Sequence, residues 1–446
     1  MGFGREGQSS YNLLRKIFPG KIITIADKSP GVKDSTLIAG DKNVRLLLGD
    51  DYLKNVNDFD VIFRSPGIPV WNLKPDIPSG KITSQTDLFL QAFAPQVVGV
   101  TGTKGKSTTA SLIYHILKTA EKDAFLVGNI GNPAFHFSEL ITQSTSVVFE
   151  LSSHQLEYIT RSPHISILLN LFQEHLDAYL SYEAYQKAKL NIARCQDGKD
   201  FLIYNDDDPL VTRNVSDYSG KIQLFPFSLE KNLKAGGYLQ KDWVCFSDGM
   251  VERPVWKIHQ DRFLKGEHNL KNILASVTAC MILEIPEEMI GDGIATFKGL
   301  EHRLEYVGEF RHIYFYNDSI ATIPEACIEA VKAIPGVDTL IAGGFDRGID
   351  YSQLARFLKT SAVRNLILVG AAGRHIGDEL SKISPSAKRV FLINRFDDFC
   401  DIAFRETRPG FVCLLSPAAA SYDEFNNFEE RGNRFRELVK RSKGNN

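Results

Sequence analysis

Short apolar runs, each followed by a stretch with helical spacing, recur along nearly the whole chain. Roughly the first ninety residues carry "KIITIAD", "VRLLLGD", "DVIFRSPG" and "GKITSQTDLFL", the rhythm of parallel βα units. From "APQVVGV" to about Lys298 a longer segment holds "SVVFEL", "HISILLN", "DFLIYN" and the helical "EHNLKNILASVTACMIL". From Gly299 the alternation returns in "HIYFYND", "DTLIAGG", "NLILVG", "RVFLIN" and "GFVCLLSP". The pattern predicts an α/β protein of three domains: residues 1–93, Rossmann-like; 94–298, central; and 299–446, again Rossmann-like.

Two glycine clusters punctuate this pattern. "GFGREG" at the start matches G-x-G-x-x-G, and Asp27 ends the next strand about twenty residues later, the spacing of a dinucleotide fingerprint. Only Met1 precedes the first glycine, so the strand that should present this loop is missing and the start reads as clipped or mis-assigned. A turn without ligand is the alternative. The second cluster, "VVGVTGTKGKSTTASLIYHILK" at 97–118, places an apolar strand, a glycine loop, Lys106-Ser107 and a helix in succession. Backbone N–H groups and a helix N-terminus cradle phosphates in that context. Lys106 would neutralise phosphate charge and Ser107 would ligate Mg²⁺. The usual G-x-x-x-x-G-K-[ST] pattern is not met, because Val100 stands where its first glycine belongs. A glycine turn with solvated lysines is the plainer alternative.

Other residues suggest chemistry by position. "SVVFEL" ends in Glu150, a carboxylate at the edge of the sheet where a second magnesium ligand would be needed. His175 follows a strand. On the helix beyond it, Tyr182, Tyr185, Lys189 and Ala193 share one stripe, so Lys189 either faces aromatics or snorkels to water at the stripe's edge.

Composition narrows the function classes. The 446 residues are 43% hydrophobic and 24% charged with a formal net charge of -2, which excludes a broad nucleic-acid footprint and leaves anions to local sites. Six scattered cysteines without a C-x-x-C pair suit reduced thiols rather than a disulfide framework. No apolar run approaches a membrane span, and no signal-peptide stretch opens the chain. A cytoplasmic, monomeric protein that neither enters membranes nor binds nucleic acid is expected.

The motifs "TGTKGKST", "GNIG", "FELSSHQLE", "N-x-x-x-E-H-L-D", "KAKL", "GEHNLKN", "GLEHRLE", "NDSIAT" and "LLSPAAASYDEFNNFEERG" occur in the order seen in the Mur ligases. The chain resembles that family over essentially its whole length, most of all the branch that adds glutamate. The resemblance implies an ATP-dependent amide-bond ligase of peptidoglycan synthesis. ATP would phosphorylate the carboxylate of UDP-N-acetylmuramoyl-L-alanine, and the amine of glutamate would displace phosphate.

By the same resemblance, Gly102, Thr103, Lys104, Gly105, Lys106, Ser107 and Thr108 form the ATP loop, and Ser107 and Glu150 serve Mg²⁺. Asn129 and His175 fall near the acyl phosphate and a second metal. Lys189 matches the family's carbamylated lysine, whose carbamate turns a cation into a metal-facing anion. That reaction needs a neutral amine, which burial favours. Asn269 and Asn272 match adenine-side contacts, while Arg303 and Asp318 match nucleotide contacts of the C-terminal domain. Ser65, Pro66 and Gly67 fall near the UDP-sugar; Ser152 and Gln155 are further substrate positions. Thr322, Arg347, Ser421 and Phe428 match the glutamate pocket.

Departures from the family pattern are informative. Lys104 replaces an asparagine, Glu174 an aspartate, and His154 an apolar aromatic. Ile320 stands where the glutamate pocket has a lysine, and Arg347 where another lysine is usual. D-glutamate is the default acceptor, with L-glutamate the alternative those two positions raise. A P-loop switch protein is an alternative of another class, against which stands the lack of an [NT]-K-x-D guanine motif. A folate glutamylase is the nearer rival.

Overall fold

The apolar runs are strands, as buried runs too short for a helix must be if their backbone groups are to find partners. The computed structural model of the chain describes residues 1–54, 56–68, 79–173, 179, 181–259, 263–264, 266–383 and 388–441. The chain forms two units, Met1–Phe297 and Lys298–Asn446.

In the first unit, β1 (Ile23–Asp27) and β2 (Val44–Leu48) pair in parallel, as do β3 (Ile62–Phe63) and β4 (Ile82–Thr83). Helices α1 (Arg5–Ile17) and α2 (Gln85–Phe93) bracket these strands in the sequence. Nine strands follow: β5 (Val97–Thr101), β6 (Ala124–Gly128), β7 (Ser146–Glu150), β8 (Ile165–Leu168), β9 (Phe201–Asn205), β10 (Gln223–Ser228), β11 (Ala235–Gln240), β12 (Trp243–Asp248) and β13 (Glu252–Lys257). They form one sheet in the order β13-β12-β11-β10-β9-β8-β5-β7-β6, antiparallel only at β11-β12 and β12-β13. Between and after them run α3 (Lys106–Thr119), α4 (Ser153–Leu156), α5 (Tyr182–Arg194), α6 (Pro209–Val215), α7 (Glu267–Ile282) and α8 (Glu287–Thr296).

The core explains why α3 sits where it does. Leu112, Ile113, Ile116 and Leu117 are fully buried, each such side chain contributing about 1.5–3 kcal/mol. Gly293 of α8 allows the close approach, since a Cβ there would lie 2.7 Å from Cγ1 of Ile116. The connections leave β5 in one direction toward β6 and β7 and in the other toward β8. Such a reversal opens a crevice beyond the carboxyl ends of the strands.

The second unit has six strands: β14 (Glu305–Phe310), β15 (Ile313–Asn317), β16 (Val337–Gly343), β17 (Asn365–Val369), β18 (Arg389–Ile393) and β19 (Val412–Leu415). Their order is β14-β15-β19-β16-β17-β18, parallel except for the β14-β15 hairpin. Around them lie α9 (Pro324–Ala333), α10 (Ser352–Thr360), α11 (Gly370–Lys382), α12 (Phe399–Glu406) and α13 (Phe428–Arg441). Among the described residues no helix is long and apolar enough to cross a membrane.

Candidate functional site

The loop between β5 and α3 is shaped by its glycines. Gly102 and Gly105 have φ of 152° and 87°. A Cβ on Gly105 would lie 2.4 Å from Oδ1 of Asn272, and one on Gly102 2.8 Å from Cβ of Leu169. Both backbone conformation and space therefore require glycine. The N–H of Thr103 donates to the carbonyl of Asn170 at 3.0 Å; that of Lys104 donates to Asn170 Oδ1 at 2.8 Å, and Asn170 Nδ2 donates back to Lys104 O at 3.0 Å. Helix α3 starts on the residue after Gly105, and no side chain of that N-cap closes its first turn. Lys106 Nζ folds over the loop, donating to Gly102 O at 3.0 Å and Thr103 O at 2.9 Å. Ser107 and Thr108, half-buried, follow in the first turn.

A second lysine reaches the same carbonyl. Lys189 Nζ donates to Gly102 O at 2.8 Å and lies 4.9 Å from the centre of the Tyr185 ring. Lys189 is only 2% exposed, so it does not snorkel to water. Tyr185, fully buried, ties α5 to the loop through a 3.0 Å hydrogen bond between its hydroxyl and Thr103 Oγ1. Ser181 caps α5 by accepting from the N–H of Ala184, which sets the start of the helix that carries both residues.

On β7, beside β5, Glu150 is 1% exposed. Its Oε1 accepts from Asn129 Nδ2 at 3.0 Å, whereas its buried Oε2 has no hydrogen-bond partner among the described residues. Asn129 is itself exposed. His175 and Glu174 lie outside the described residues. Among the described residues no group of three or more His, Cys, Asp or Glu side chains could hold a metal.

A cavity of about 720 Å³ opens beside this loop, between Lys104, Gly105, Asn170 and the start of α7. Leu171, Leu210 and Phe227 give it apolar walls, and Asn272 and Lys271 contribute polar groups. Such a volume holds a drug-sized ligand. Asn272 accepts from Thr109 Oγ1 at 3.3 Å and donates to Asn269 Oδ1 at 3.1 Å, which locks both amides to α3. Asp207 and Asp208 also line the cavity, but Asp208 is committed to capping α6. Asn170 and Lys271 lie within the "N-x-x-x-E-H-L-D" and "GEHNLKN" motifs, which assign them no role: Asn170 reaches the loop because β8 pairs with β5, and Lys271 lines the cavity from α7.

Near the chain start, the "GFGREG" loop leads into α1, and Asp27 Oδ2 accepts from the N–H of Phe3 at 2.7 Å. Ser65 lies against it, its Oγ donating to Gly2 O at 3.1 Å, with Pro66 and Gly67 continuing the turn. Ser152 and Gln155 form a capping box at α4: Gln155 Oε1 accepts from the Ser152 N–H at 2.9 Å.

The second unit gathers the remaining candidates around the carboxyl ends of β15, β16 and β19. Asp318 is 4% exposed. Burial pushes its carboxyl up to about 7, against the lowering effects of hydrogen bonds from Ser416 and Leu304 and of the Arg303 charge. Arg303 itself is exposed. Arg347, also exposed, donates to Thr322 O at 2.9 Å. Ser421 is buried, and the Phe428 carbonyl accepts from Ser319 Oγ at 2.8 Å.

Arg431 was not singled out in the sequence, yet it organises this edge. It is 2% exposed and donates to Ser319 Oγ, Ser319 O, Ala419 O and Ala420 O at 2.9–3.1 Å. The "NFEERG" run carried the signal without revealing which of its charges turns inward.

Residues 100–280 match the Mur ligase middle domain. The chain is 35% identical over 435 residues to the UDP-N-acetylmuramoylalanine--D-glutamate ligase of Acetivibrio thermocellus, covering 94% of this chain and 91% of that protein. With the enzyme of the same name from Listeria monocytogenes it shares 34% over 450 residues, covering 98% and 95%. Among solved structures, UDP-N-acetylmuramate-alanine ligase MurC of Thermotoga maritima superposes with a TM-score of 0.54 at 18% identity, covering 90% of this chain and 89% of that one. MurF of Thermotoga maritima in complex with ADP gives 0.52 at 18% identity, covering 86% and 88%.

Proposed function

This chain belongs to the Mur ligase family, and from that premise we propose that it joins glutamate to UDP-N-acetylmuramoyl-L-alanine, with ATP activating the carboxylate, as a monomer in the cytoplasm. The observation that carries the chemistry is the Lys106 ammonium folded over the carbonyls of Gly102 and Thr103, at the open start of α3. Positive charge and helix amides are concentrated there before any anion arrives.

We divide the first unit after residue 93, with residues 1–93 receiving the sugar nucleotide and 94–298 the ATP. The cavity between the loop and α7 takes the adenosine, against Asn269 and Asn272. Lys106 turns from the carbonyls of Gly102 and Thr103 to the phosphate oxygens, and Gly102–Thr108 wrap the phosphates. A carboxylate oxygen of the substrate, oriented by Ser152 and Gln155, attacks the γ-phosphorus as ADP leaves. The glutamate amine, held with Thr322, Arg347, Ser421 and Phe428, attacks the carbonyl carbon of the acyl phosphate. The C–N bond forms and the C–O bond to phosphate breaks. Asn129 lies at the Glu150 carboxylate, where it can donate to the oxyanion. Arg303 and Asp318 complete the nucleotide contacts.

Mg²⁺ fits Glu150, whose Oε2 is buried and unpartnered among the described residues. Ser107 and Glu150 would hold it, with His175 and the carbamate of Lys189 as the further ligands of the family pattern. An ion held by these residues would supply Lewis-acid stabilisation of the charge on the phosphoryl oxygens. A carbamate keeps one N–H on Nζ, so Lys189 retains its bond to Gly102 O while gaining an anion. Phosphate release with UDP-N-acetylmuramoyl-L-alanine, ATP, Mg²⁺ and D-glutamate tests the reading, and hydrolysis indifferent to both acceptors rejects it.

A second reading keeps the reaction and changes the amino acid to L-glutamate. It is favoured by the half-buried Ile320, two residues before the Thr322 carbonyl that Arg347 grips. A guanidinium holds carboxylates through a fixed fork, unlike a lysine, so exchanging one lysine for Ile and another for Arg alters which carboxylate is fixed. The ratio of kcat/KM for the two enantiomers decides: strong D preference, unchanged in Ile320→Lys, removes the second reading.

A further inference from the structure

Arg64 precedes the Ser65–Gly67 loop and is only 4% exposed. A buried guanidinium is tolerated where its edges meet acceptors. Nε donates to Ile68 O at 2.6 Å, and Nη2 to Pro66 O at 3.5 Å, which closes the loop on itself. The same group reaches the turn that follows β7: Nη1 donates to His154 O at 3.2 Å and Nη2 to Glu157 Oε2 at 2.8 Å. Its plane also lies 5.6 Å from the Tyr158 ring centre.

One more side chain from residues 1–93 grips this turn. Asp87 Oδ1 accepts from the N–H and hydroxyl of Thr160 at 2.7 and 2.8 Å. The turn therefore runs from the end of β7, where Glu150 sits, through two separate holds. Of these two side chains, Arg64 is the one that also bonds the Ser65–Gly67 loop.

We infer that Arg64 is a positioning residue: it fixes the Ser65–Gly67 loop and the Ser152–Glu157 turn in one register, so that the sugar nucleotide held at the loop presents its carboxylate correctly at the turn. The inference rests on the proposed function. A planar fork serves these directions together, which one ammonium cannot do.

Arg64→Lys is expected to lower kcat/KM for UDP-N-acetylmuramoyl-L-alanine by about 10- to 100-fold, with KM for ATP unchanged. Glu157→Gln keeps a hydrogen-bond acceptor and should lose less. The double variant should be no worse than Arg64→Lys, because both remove one interaction. Thermal melts check folding; if Arg64→Lys does not fold, Glu157→Gln alone must show the selective loss. Wild-type kinetics in both variants, or ATP and sugar-nucleotide KM values rising together, overturns the inference. A wild-type enzyme silent with this substrate rejects the proposed function and the inference with it; an active wild type matched by Arg64→Lys rejects only the inference.

Discussion

Two of the glycine loops that leave fully buried parallel strands differ in what they offer an anion. After β5, Gly102 and Gly105 take positive φ and α3 begins at once, on Lys106. After β16, Gly343, Gly344 and Gly348 also take positive φ, but α10 begins at Ser352. Asp350 has by then accepted from the N–H and hydroxyl of Ser352 at 2.8 and 3.0 Å. A carboxylate stands at that helix start, where a phosphate would need the amide. The cations differ too: Lys106 covers its own loop, whereas Arg347 reaches the Thr322 carbonyl in a different loop. Glycine supplies conformational freedom. Open helix amides make the anion site.

The sharpest way to break this comparison is Lys106→Ala. Its kcat/KM should fall about 1,000-fold or more while the melting temperature holds; retained turnover would place the chemistry elsewhere. Next comes the pair Gly105→Ala and Gly348→Ala. Both force alanine into left-handed backbone, at about 1 kcal/mol or more. Only Gly105 meets a neighbour, Asn272 at 2.4 Å, while nothing lies within 4 Å of a Cβ on Gly348. Nucleotide affinity, by titration calorimetry, should collapse in Gly105→Ala alone, and equal losses would show that the second loop also serves nucleotide. The smallest effect belongs to Asp350→Ala, which opens the start of α10. A slight drop in melting temperature with unchanged ATP affinity is expected, and a drop in affinity like that of Gly105→Ala would dissolve the contrast.

Strands were legible because alternating β and α periods are local, and "VVGV", "SVVFEL" and "NLILVG" needed no partner to be read. The phosphate loop was legible because strand, glycines, lysine and helix are contiguous. The surroundings were not. Asn170 reaches the loop only because β8 lies beside β5, and Asn272 only because α7 packs on α3. Spacing left Lys189 undecided between aromatic neighbours and water; its burial follows from the neighbourhood of Thr103 and Gly102. Arg64 and Arg431 look like ordinary surface charges in sequence, since nothing local records which distant carbonyls converge on them.

The buried Asp318 makes the protein a proton store. Its carboxyl sits near 7 rather than at its ordinary 3.8. Between those values the folded chain keeps a proton that the unfolded chain has released. The stability that Asp318 contributes therefore falls as pH rises through that window, and this contribution is level below and above it. Asp318→Asn should make the decline shallower in melts taken across that range, leaving the share of Glu6, whose carboxyl burial also pushes up to about 7. Any ligand that brings a cation to this carboxylate expels the proton. Near neutral pH such binding acidifies the medium, and calorimetry in buffers of different ionisation heat would count the protons released.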